Sequence, residues 1–360
     1  MRSKITNENF TGQTIYAGID VHKKSWTVTL RSEHHHLRTF SQNPDADQLI
    51  RYLNKNYPGA SYKALYEAGF SGFGACRKML SKGIDCMVVH PMDIPRSNKD
   101  KIMKTDAIDS RKLSSLFFDK DQDYIHIPDE ELEADRALVR QRFRIVRDLA
   151  RTKNRLKSLF FQMGFNIPKC FEGSPSRQWT AKYLEWIDQI EVSQSSLKWA
   201  IERYVELGKM QKEQLKASNT MLVNMSRKHR YRKDYELLRS IPGIGRLTAI
   251  VLLTQLGDIR RFSTLDKLCF YIGLVPKVYS TGDTHKTGKM IKRGRRELKI
   301  HLIESAWIAV RKDPALTSKY NVLCTKMNKN KAIIRIARKI LSRVRYVLMN
   351  KEPYEIGIVK

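Results

Sequence analysis

The chain of 360 residues carries a net charge of +30, and 41% of its residues are hydrophobic, which is enough to form more than one core. The charge rises from +3 in residues 1–130 to +9 in 131–230 and +18 in 231–350, which favours a nucleic-acid partner over an ordinary basic surface. No apolar run approaches the roughly 20 residues of a membrane span, and five scattered cysteines indicate neither disulfides nor a zinc cage, so the composition fits the reducing cytoplasm.

The sequence of residues 1–125 predicts an α/β domain. Short runs rich in β-branched and aromatic residues indicate strands at 15–20, 26–32, 35–40, 61–67 and 84–90. Helical patterns lie between and after them, around 44–55, 71–82 and 105–118. Three consecutive strands followed by alternating helix and strand is the order of a ribonuclease H-like sheet, although many α/β domains also begin with a hairpin.

The sequence of residues 126–232 predicts a helical region. A long basic helix is expected over 131–165, where apolar residues occupy five of seven heptad positions. These positions are Leu138, Arg142, Ile145, Leu149, Thr152, Leu156 and Leu159. The pattern fits either a coiled coil with another helix or an amphipathic helix packed on its own domain. A second, polar helical stretch is expected over about 176–230.

The sequence of residues 233–350 predicts a third, mainly helical domain. It begins with two apolar helices joined by the sequence Pro-Gly-Ile-Gly at 242–245. In a helix-hairpin-helix, Gly243 and Gly245 would allow the tight turn and leave backbone N–H groups available to a phosphate. A plain helical hairpin buried in the core is the alternative interpretation.

Four carboxylates occupy positions where a metal site can form. Asp20 ends the first predicted strand and Glu67 ends the fourth, and strand ends are where polar side chains converge in an open sheet. Asp106 and Asp109 are three residues apart on one face of a predicted helix that Thr105 would cap. Acids gathered at one point repel each other unless a cation lies between them. Oxygen ligands suit Mg²⁺ or Mn²⁺, and two such ions can support phosphodiester chemistry.

A hydroxyl-bearing segment lies in the most basic part of the chain. Ser280 and Thr281 fall in a predicted glycine-containing loop, where nearby cations would favour attack of a hydroxyl on a phosphate. An ordinary turn serine is the alternative. The flanking basic residues, which we expect to contact nucleic acid, are Lys277, Lys286, Lys289, Lys292, Arg293, Arg295 and Arg296.

The ordered set of GIDVHK, YEAG, KTDAIDSRKL, IPGIG and GLVP…STG…KRG resembles the insertion-sequence one-hundred-and-ten (IS110) family of transposases. The resemblance implies a RuvC-like domain whose acids, here Asp20, Glu67, Asp106 and Asp109, hold Mg²⁺. It also implies a second domain whose serine, here Ser280, attacks DNA and forms a phosphoserine link. Asp283 stands where the family often has glycine, and MIKRGRR carries an extra basic residue; both make the geometry of the serine segment harder to predict.

The same resemblance implies partners for the chain. Such transposases are guided by a structured non-coding RNA, the bridge RNA, whose loops pair with target and donor DNA. They assemble as dimers and tetramers, with the two domains of one active site coming from different subunits. The implied setting is the bacterial cytoplasm, in association with the nucleoid.

Other functions remain compatible with the residues themselves. A RuvC-like, metal-dependent, structure-specific endonuclease would use only the acids and form no covalent intermediate. Tyr271 or Tyr279 is an alternative covalent nucleophile. A basic DNA- or RNA-binding scaffold with a decayed site is a third possibility, and the presence of all four acids and the serine argues against it.

Overall fold

The computed structural model describes residues 10–95, 105–171, 178–281 and 284–357, with the backbone alone described at 278–281 and 284–287. The chain divides into two compact units, Met1–Pro128 and Asp129–Lys360. Each unit has a hydrophobic core of its own.

A five-stranded mixed sheet forms the first unit. Its strands are β1 (Thr14–Val21), β2 (Trp26–Arg31), β3 (His36–Gln42), β4 (Ser61–Glu67) and β5 (Asp85–Val89). The order across the sheet is β3-β2-β1-β4-β5; β2 is antiparallel to both β1 and β3, whereas β4 runs parallel to β1 and β5 parallel to β4. The five predicted strands are all present, and the mixed sheet is consistent with a ribonuclease H-like fold.

Helices cover both faces of this sheet. They are α1 (Ala46–Asn56), α2 (Gly74–Ser81) and α3 (Asp106–Ser115). On one face, Ile15, Ala17 and Ile19 of β1 are buried with residues of α1 and α2. On the other face, Leu65 of β4 is buried against Leu113 of α3. Alternate residues of a strand point to opposite faces, so the sequence of β1 assigns its odd-numbered residues to the α1–α2 side.

The second unit is mainly helical. Its helices are α4 (Glu130–Gln162), α5 (Ala181–Asp188), α6 (Ser195–Met225), α7 (His229–Arg239), α8 (Arg246–Leu256), α9 (Leu265–Ile272), α10 (Arg296–Ala309), α11 (Pro314–Cys324) and α12 (Lys329–Asn350). Residues 249–256 of α8 are all buried, because α4, α6, α7 and α10 surround this apolar helix. In the described part of the chain, no helix combines the length and the hydropathy that crossing a membrane requires.

The heptad face of α4 is buried within this unit. Ile145, Leu149, Thr152 and Leu156 are buried on the helix, which packs along α6. Leu156 belongs to a small aromatic core that α5 and the start of α6 complete. The long basic helix predicted from the sequence is therefore present, and its apolar seam has a partner helix in the same chain.

The segment around Ser280, which the sequence predicts to be a loop, forms a β-hairpin instead. Strands β6 (Pro276–Thr281) and β7 (Thr284–Met290) pair antiparallel, with Ser280 opposite His285. The prediction was wrong because glycine, lysine and threonine dominate the segment and hide the alternation of a strand. β-Branched and aromatic residues, Val278, Tyr279 and Thr287 among them, favour extended backbone here.

Candidate functional site

Two of the predicted acids end neighbouring parallel strands. The last registered pair between β1 and β4 is Ile19 with Tyr66, and Asp20 and Glu67 follow it by one residue on each strand. Alternation along the strands assigns both acids to the α3 face, as it does Leu65. Asp20 and Glu67 are both partly buried. The sheet therefore brings these two carboxyl-bearing positions to one edge.

The other two acids lie in the first turn of α3. Thr105 caps this helix, its Oγ1 accepting a hydrogen bond from the backbone N–H of Ile108 at 3.3 Å. Asp106 and Asp109 follow, where the positive end of the helix dipole favours carboxylates. The capping residue and the helix start predicted from the sequence are both present.

Gly18 determines how closely α3 approaches the sheet. A Cβ atom built at Gly18 would lie 2.2 Å from the backbone oxygen of Ser110 and 2.2 Å from the backbone nitrogen of Ser114. On the neighbouring strand, the hydroxyl of Thr29 is 2.8 Å from that of Ser110. Only a residue without a side chain permits this contact, and the contact holds the start of α3 beside the end of β1.

His22 joins the acids at this edge. Its Nε2 atom lies 3.2 Å from Asp20 Oδ2 and 3.4 Å from Asp106 Oδ1. These three side chains each offer one ligand atom, and the three atoms lie within 4.8 Å of one another. Glu67 and Asp109 are not members of this close group. His22 is not among the site residues predicted from the sequence, although its position two residues after Asp20 puts it on the same face if the extended backbone of β1 continues.

The electrostatics of the cluster favour a cation. Partial burial raises the pKa of Asp20; the charge and hydrogen bond of His22 oppose this rise, and the negative charges of Asp106 and Asp109 add to it. Like charges held this close disfavour the ionised form unless a positive group compensates. Carboxylate oxygens with one imidazole nitrogen form a donor set that fits a divalent ion.

The predicted nucleic-acid contacts lie on and after the β6–β7 hairpin. The side chains of Ser280, Thr281 and Lys286 are outside the described residues. Exposed basic residues are Lys277, Lys289, Lys292 and Arg296, whereas Arg293 and Arg295 are partly buried. The guanidinium carbon of Arg293 lies 4.9 Å from the ring centre of Phe270, and that of Arg295 lies 5.6 Å from the ring centre of Tyr271.

The two glycines of the 242–245 turn have different surroundings. Gly243 has a positive φ of 90°, and a Cβ there would lie 2.2 Å from the backbone oxygen of Ser305 on α10. Gly245 is exposed and is the N-cap of α8, with no side-chain cap. The turn thus packs on one side and presents the start of α8 to solvent on the other.

A mixed sheet with an acidic cluster at its edge is typical of the ribonuclease H-like class of metal-dependent nucleic-acid enzymes. Two family models match the chain. Residues 17–164 match a transposase family, the DEDD transposases of IS110, and residues 235–321 match the transposase family of IS116, IS110 and IS902.

Individual relatives agree with these matches. A Sinorhizobium fredii protein described as a candidate transposase, y4qE, is 30% identical over 242 residues, 67% of this chain and 57% of that protein. The transposase of IS1533 from Leptospira borgpetersenii is 28% identical over 254 residues, 68% of this chain and 70% of that protein. A pilin gene-inverting protein of Moraxella lacunata is 31% identical over 137 residues, 37% of this chain and 42% of that protein.

The chain belongs to the IS110 family of insertion-sequence transposases, a class of enzymes that cleave and transfer DNA. Membership of its DEDD branch implies the use of a divalent metal ion.

Proposed function

We propose that this protein is a site-specific DNA recombinase of an insertion sequence, which cleaves and rejoins DNA through a serine–phosphate link. The observation that carries the proposal is the cluster of Asp20, His22 and Asp106 at the edge of the sheet. It belongs to a chain whose second matched region contains Ser280. The Moraxella lacunata relative, named for the inversion of a pilin gene, supports recombination at defined sites.

The metal centre of the proposed enzyme uses Asp20, Glu67, Asp106 and Asp109, with His22 as a further ligand. The four carboxylates of this set favour Mg²⁺ or Mn²⁺. When bound, the ion stabilises negative charge on the oxygens of the phosphodiester. The partly buried Asp20 anchors the set at the sheet, and the capped first turn of α3 presents Asp106 and Asp109.

Ser280 is the proposed nucleophile. Its hydroxyl oxygen forms a bond to phosphorus as the bond from phosphorus to a deoxyribose oxygen breaks. The serine proton passes to solvent, and the released deoxyribose oxygen takes up a proton. Attack by the hydroxyl of another DNA end reverses the exchange, rejoins the strand and frees the serine. Exposed Lys277 and Lys289 on the same hairpin would neutralise phosphate charge.

The proposed partners are donor and target DNA, a bridge RNA encoded by the element, and further copies of this chain. The net charge of +18 in residues 231–350 supports a polyanion partner for the second unit. The exposed N-terminus of α8 at Gly245 is a proposed phosphate contact. Sequencing the RNA that copurifies with the protein tests guidance: one species from the element's own DNA is expected, and a mixture of cellular RNAs would contradict it.

The first prediction concerns the nucleophile. The protein, purified with its copurifying RNA, is mixed with labelled DNA containing the junction of its own element in Mg²⁺, and covalent adducts are resolved in denaturing gels. Ser280→Ala should abolish the adduct because it removes the hydroxyl oxygen of the proposed ester, and Thr281→Ala, which removes the neighbouring hydroxyl, should retain it.

An adduct of undiminished yield from Ser280→Ala would eliminate this serine. Cut DNA with free ends and no attached protein would instead favour the hydrolytic endonuclease. The hydroxyl of Tyr271 donates a hydrogen bond to the backbone oxygen of Gln255 at 2.9 Å, and nearby arginines lower its pKa, so Tyr271→Phe in the same assay tests this alternative nucleophile. The side chain of Tyr279 lies outside the described residues.

A further inference from the structure

A concave pocket in the second unit is lined mainly by arginines. Three come from one face of α4, where the spacing of four and three residues brings Arg140, Arg144 and Arg147 into line. Arg295, just before α10, and Gln255 of α8 also line this cavity of about 240 Å³. We call these five residues the arginine pocket. The rest of its lining is Phe143, Leu298 and one acid, Glu297.

Two other arginines nearby have structural hydrogen bonds, whereas Arg140, Arg144 and Arg147 are exposed on α4. Arg136 donates from Nε to the backbone oxygen of Thr254 at 2.8 Å and from an η-nitrogen to that of Gln255 at 3.1 Å. Arg261 donates from Nε to the backbone oxygen of Leu256 at 3.0 Å. These bonds satisfy carbonyl groups at the C-terminal end of α8.

The α4 arginines of the pocket have no comparable partners. Within the described part of the chain, no ion pair or hydrogen bond is formed by Arg140, Arg144 or Arg147. Burial lowers the pKa of Arg140, and the positive charge of Arg295 lowers it further. Four guanidiniums are therefore held around one cavity whose lining contains a single acid, Glu297, and the charge of Glu133 offsets only part of the repulsion at Arg140.

One residue of the lining, Gln255, carries a buried side-chain amide. Gln255 is 5% exposed, and its Nε2 has no hydrogen-bond acceptor within the described residues. A buried donor left unsatisfied destabilises the folded protein. An anionic oxygen in the pocket would accept this hydrogen bond and would offset the surrounding positive charge. An unpartnered donor in the wall of the cavity is thus a second observation, beside the arginines, that fits an anionic ligand.

We propose that the arginine pocket binds a phosphate group of a nucleic-acid backbone. The guanidiniums neutralise the phosphate, and the amide of Gln255 donates one uncharged hydrogen bond to it. The proposal takes only its nucleic-acid partner from the proposed function, and it requires neither the metal centre nor Ser280.

The test compares two double variants of α4. Arg140→Gln with Arg144→Gln removes two charges that line the pocket, and Arg151→Gln with Arg155→Gln removes two charges with the same spacing further along the helix, outside the pocket; all four arginines are exposed. Full-length protein freed of RNA is titrated, in EDTA, against labelled duplex DNA, single-stranded DNA and RNA of one sequence. The pocket variant should bind roughly 10-fold more weakly. Its slope of log affinity against log salt should be shallower by about 0.7–0.9 for each phosphate that the variant no longer neutralises.

The three probes identify the source of the phosphate, because the strand type that occupies the pocket should show the largest loss of affinity. If the pocket variant loses no more affinity or salt dependence than the α4 control on any probe, the proposal is overturned. Since this assay contains no metal ion and needs no catalysis, a failed recombination assay would leave its result unaffected.

A second variant tests the contribution of the Gln255 side-chain amide to binding. Gln255→Met keeps a side chain of similar length without a donor, so binding should weaken several-fold while the salt slope stays unchanged. Thermal unfolding of the variant checks that α8 remains packed. Unchanged affinity in a folded Gln255→Met protein would show that the amide does not contact the phosphate.

Discussion

His301 illustrates how one buried side chain couples stability to pH. Its ring packs against Phe143, and its Nδ1 is 3.4 Å from the hydroxyl of Thr248. Burial, reinforced by the positive charge of Arg142, lowers the pKa of His301 to about 4. The histidine is therefore neutral in the folded protein at neutral pH, whereas it binds a proton near pH 6.5 in the unfolded chain.

Stability should consequently fall as the pH drops from 6.5 towards 4. In this window the unfolded chain binds more protons than the folded one, so the free energy of unfolding rises with pH and levels off above 6.5. Between pH 7.5 and pH 5, the contribution of His301 should fall by about 2 kcal/mol. The free energy of unfolding in urea, measured at pH 7.5 and at pH 5, gives this loss of stability. The loss should be smaller by that amount in His301→Gln, and His34→Gln, at an exposed histidine, should behave as the wild type does. An equal pH dependence in all three proteins would contradict the assignment.

Among the secondary-structure elements, the contact between β1 and α3 determines whether Asp20 and Asp106 lie close enough to share a metal ion. Replacing Gly18 by alanine would press a methyl group against the backbone of α3, and overpacking of this kind typically costs about 1–3 kcal/mol. The start of α3, with Asp106, would move away from Asp20. Gly18→Ala should therefore lower both the free energy of unfolding and the affinity for Mn²⁺, measured by calorimetry.

Gly74→Ala is the matched control for this prediction. A Cβ at Gly74 meets nothing within 4 Å, and alanine favours the helix that Gly74 begins. This variant should keep its metal affinity and lose no stability. If Gly18→Ala bound Mn²⁺ as the wild type does, the close approach of α3 would not be what assembles the acids.

The sequence predicts the elements of the first unit well and their contacts poorly. Strands β1 to β5 follow from runs of β-branched and aromatic residues, and Thr105 marks the start of α3 by its chemistry. The role of Gly18 depends on the packing of α3 over β1. This packing brings together residues about ninety positions apart in the sequence, so no local sequence pattern predicts it. The β6–β7 hairpin was missed because its polar residues carry no apolar alternation. The arginine pocket was missed because its residues come from three separate segments.

At the scale of the whole molecule, the acids and the bulk of the positive charge belong to different units. The acids lie in a region with a net charge of +3, whereas residues 231–350 carry +18. Removal of divalent ions with EDTA should therefore abolish DNA cleavage and adduct formation while nucleic-acid binding persists. Electrophoretic mobility shifts, run beside cleavage assays with and without Mg²⁺, measure both properties.

Asp106→Asn should reproduce the effect of EDTA in the presence of Mg²⁺, because it removes a charged ligand from the proposed metal centre. Asp119→Asn, at an exposed acid after α3, is the control and should cleave normally. Loss of nucleic-acid binding in EDTA, or full cleavage by Asp106→Asn, would contradict this division of roles.

The parallel pairing of β1 with β4, followed by α3, also sets when the cluster can form during translation. His22 leaves the ribosome 84 residues before Asp106 does. At about 5–20 residues per second, that delay is roughly 4–17 s. Throughout this interval the nascent chain exposes β1 without the helix that later covers it, and it cannot yet hold a metal ion with all of these ligands. A polypeptide released early, before residue 106, would therefore be catalytically inert.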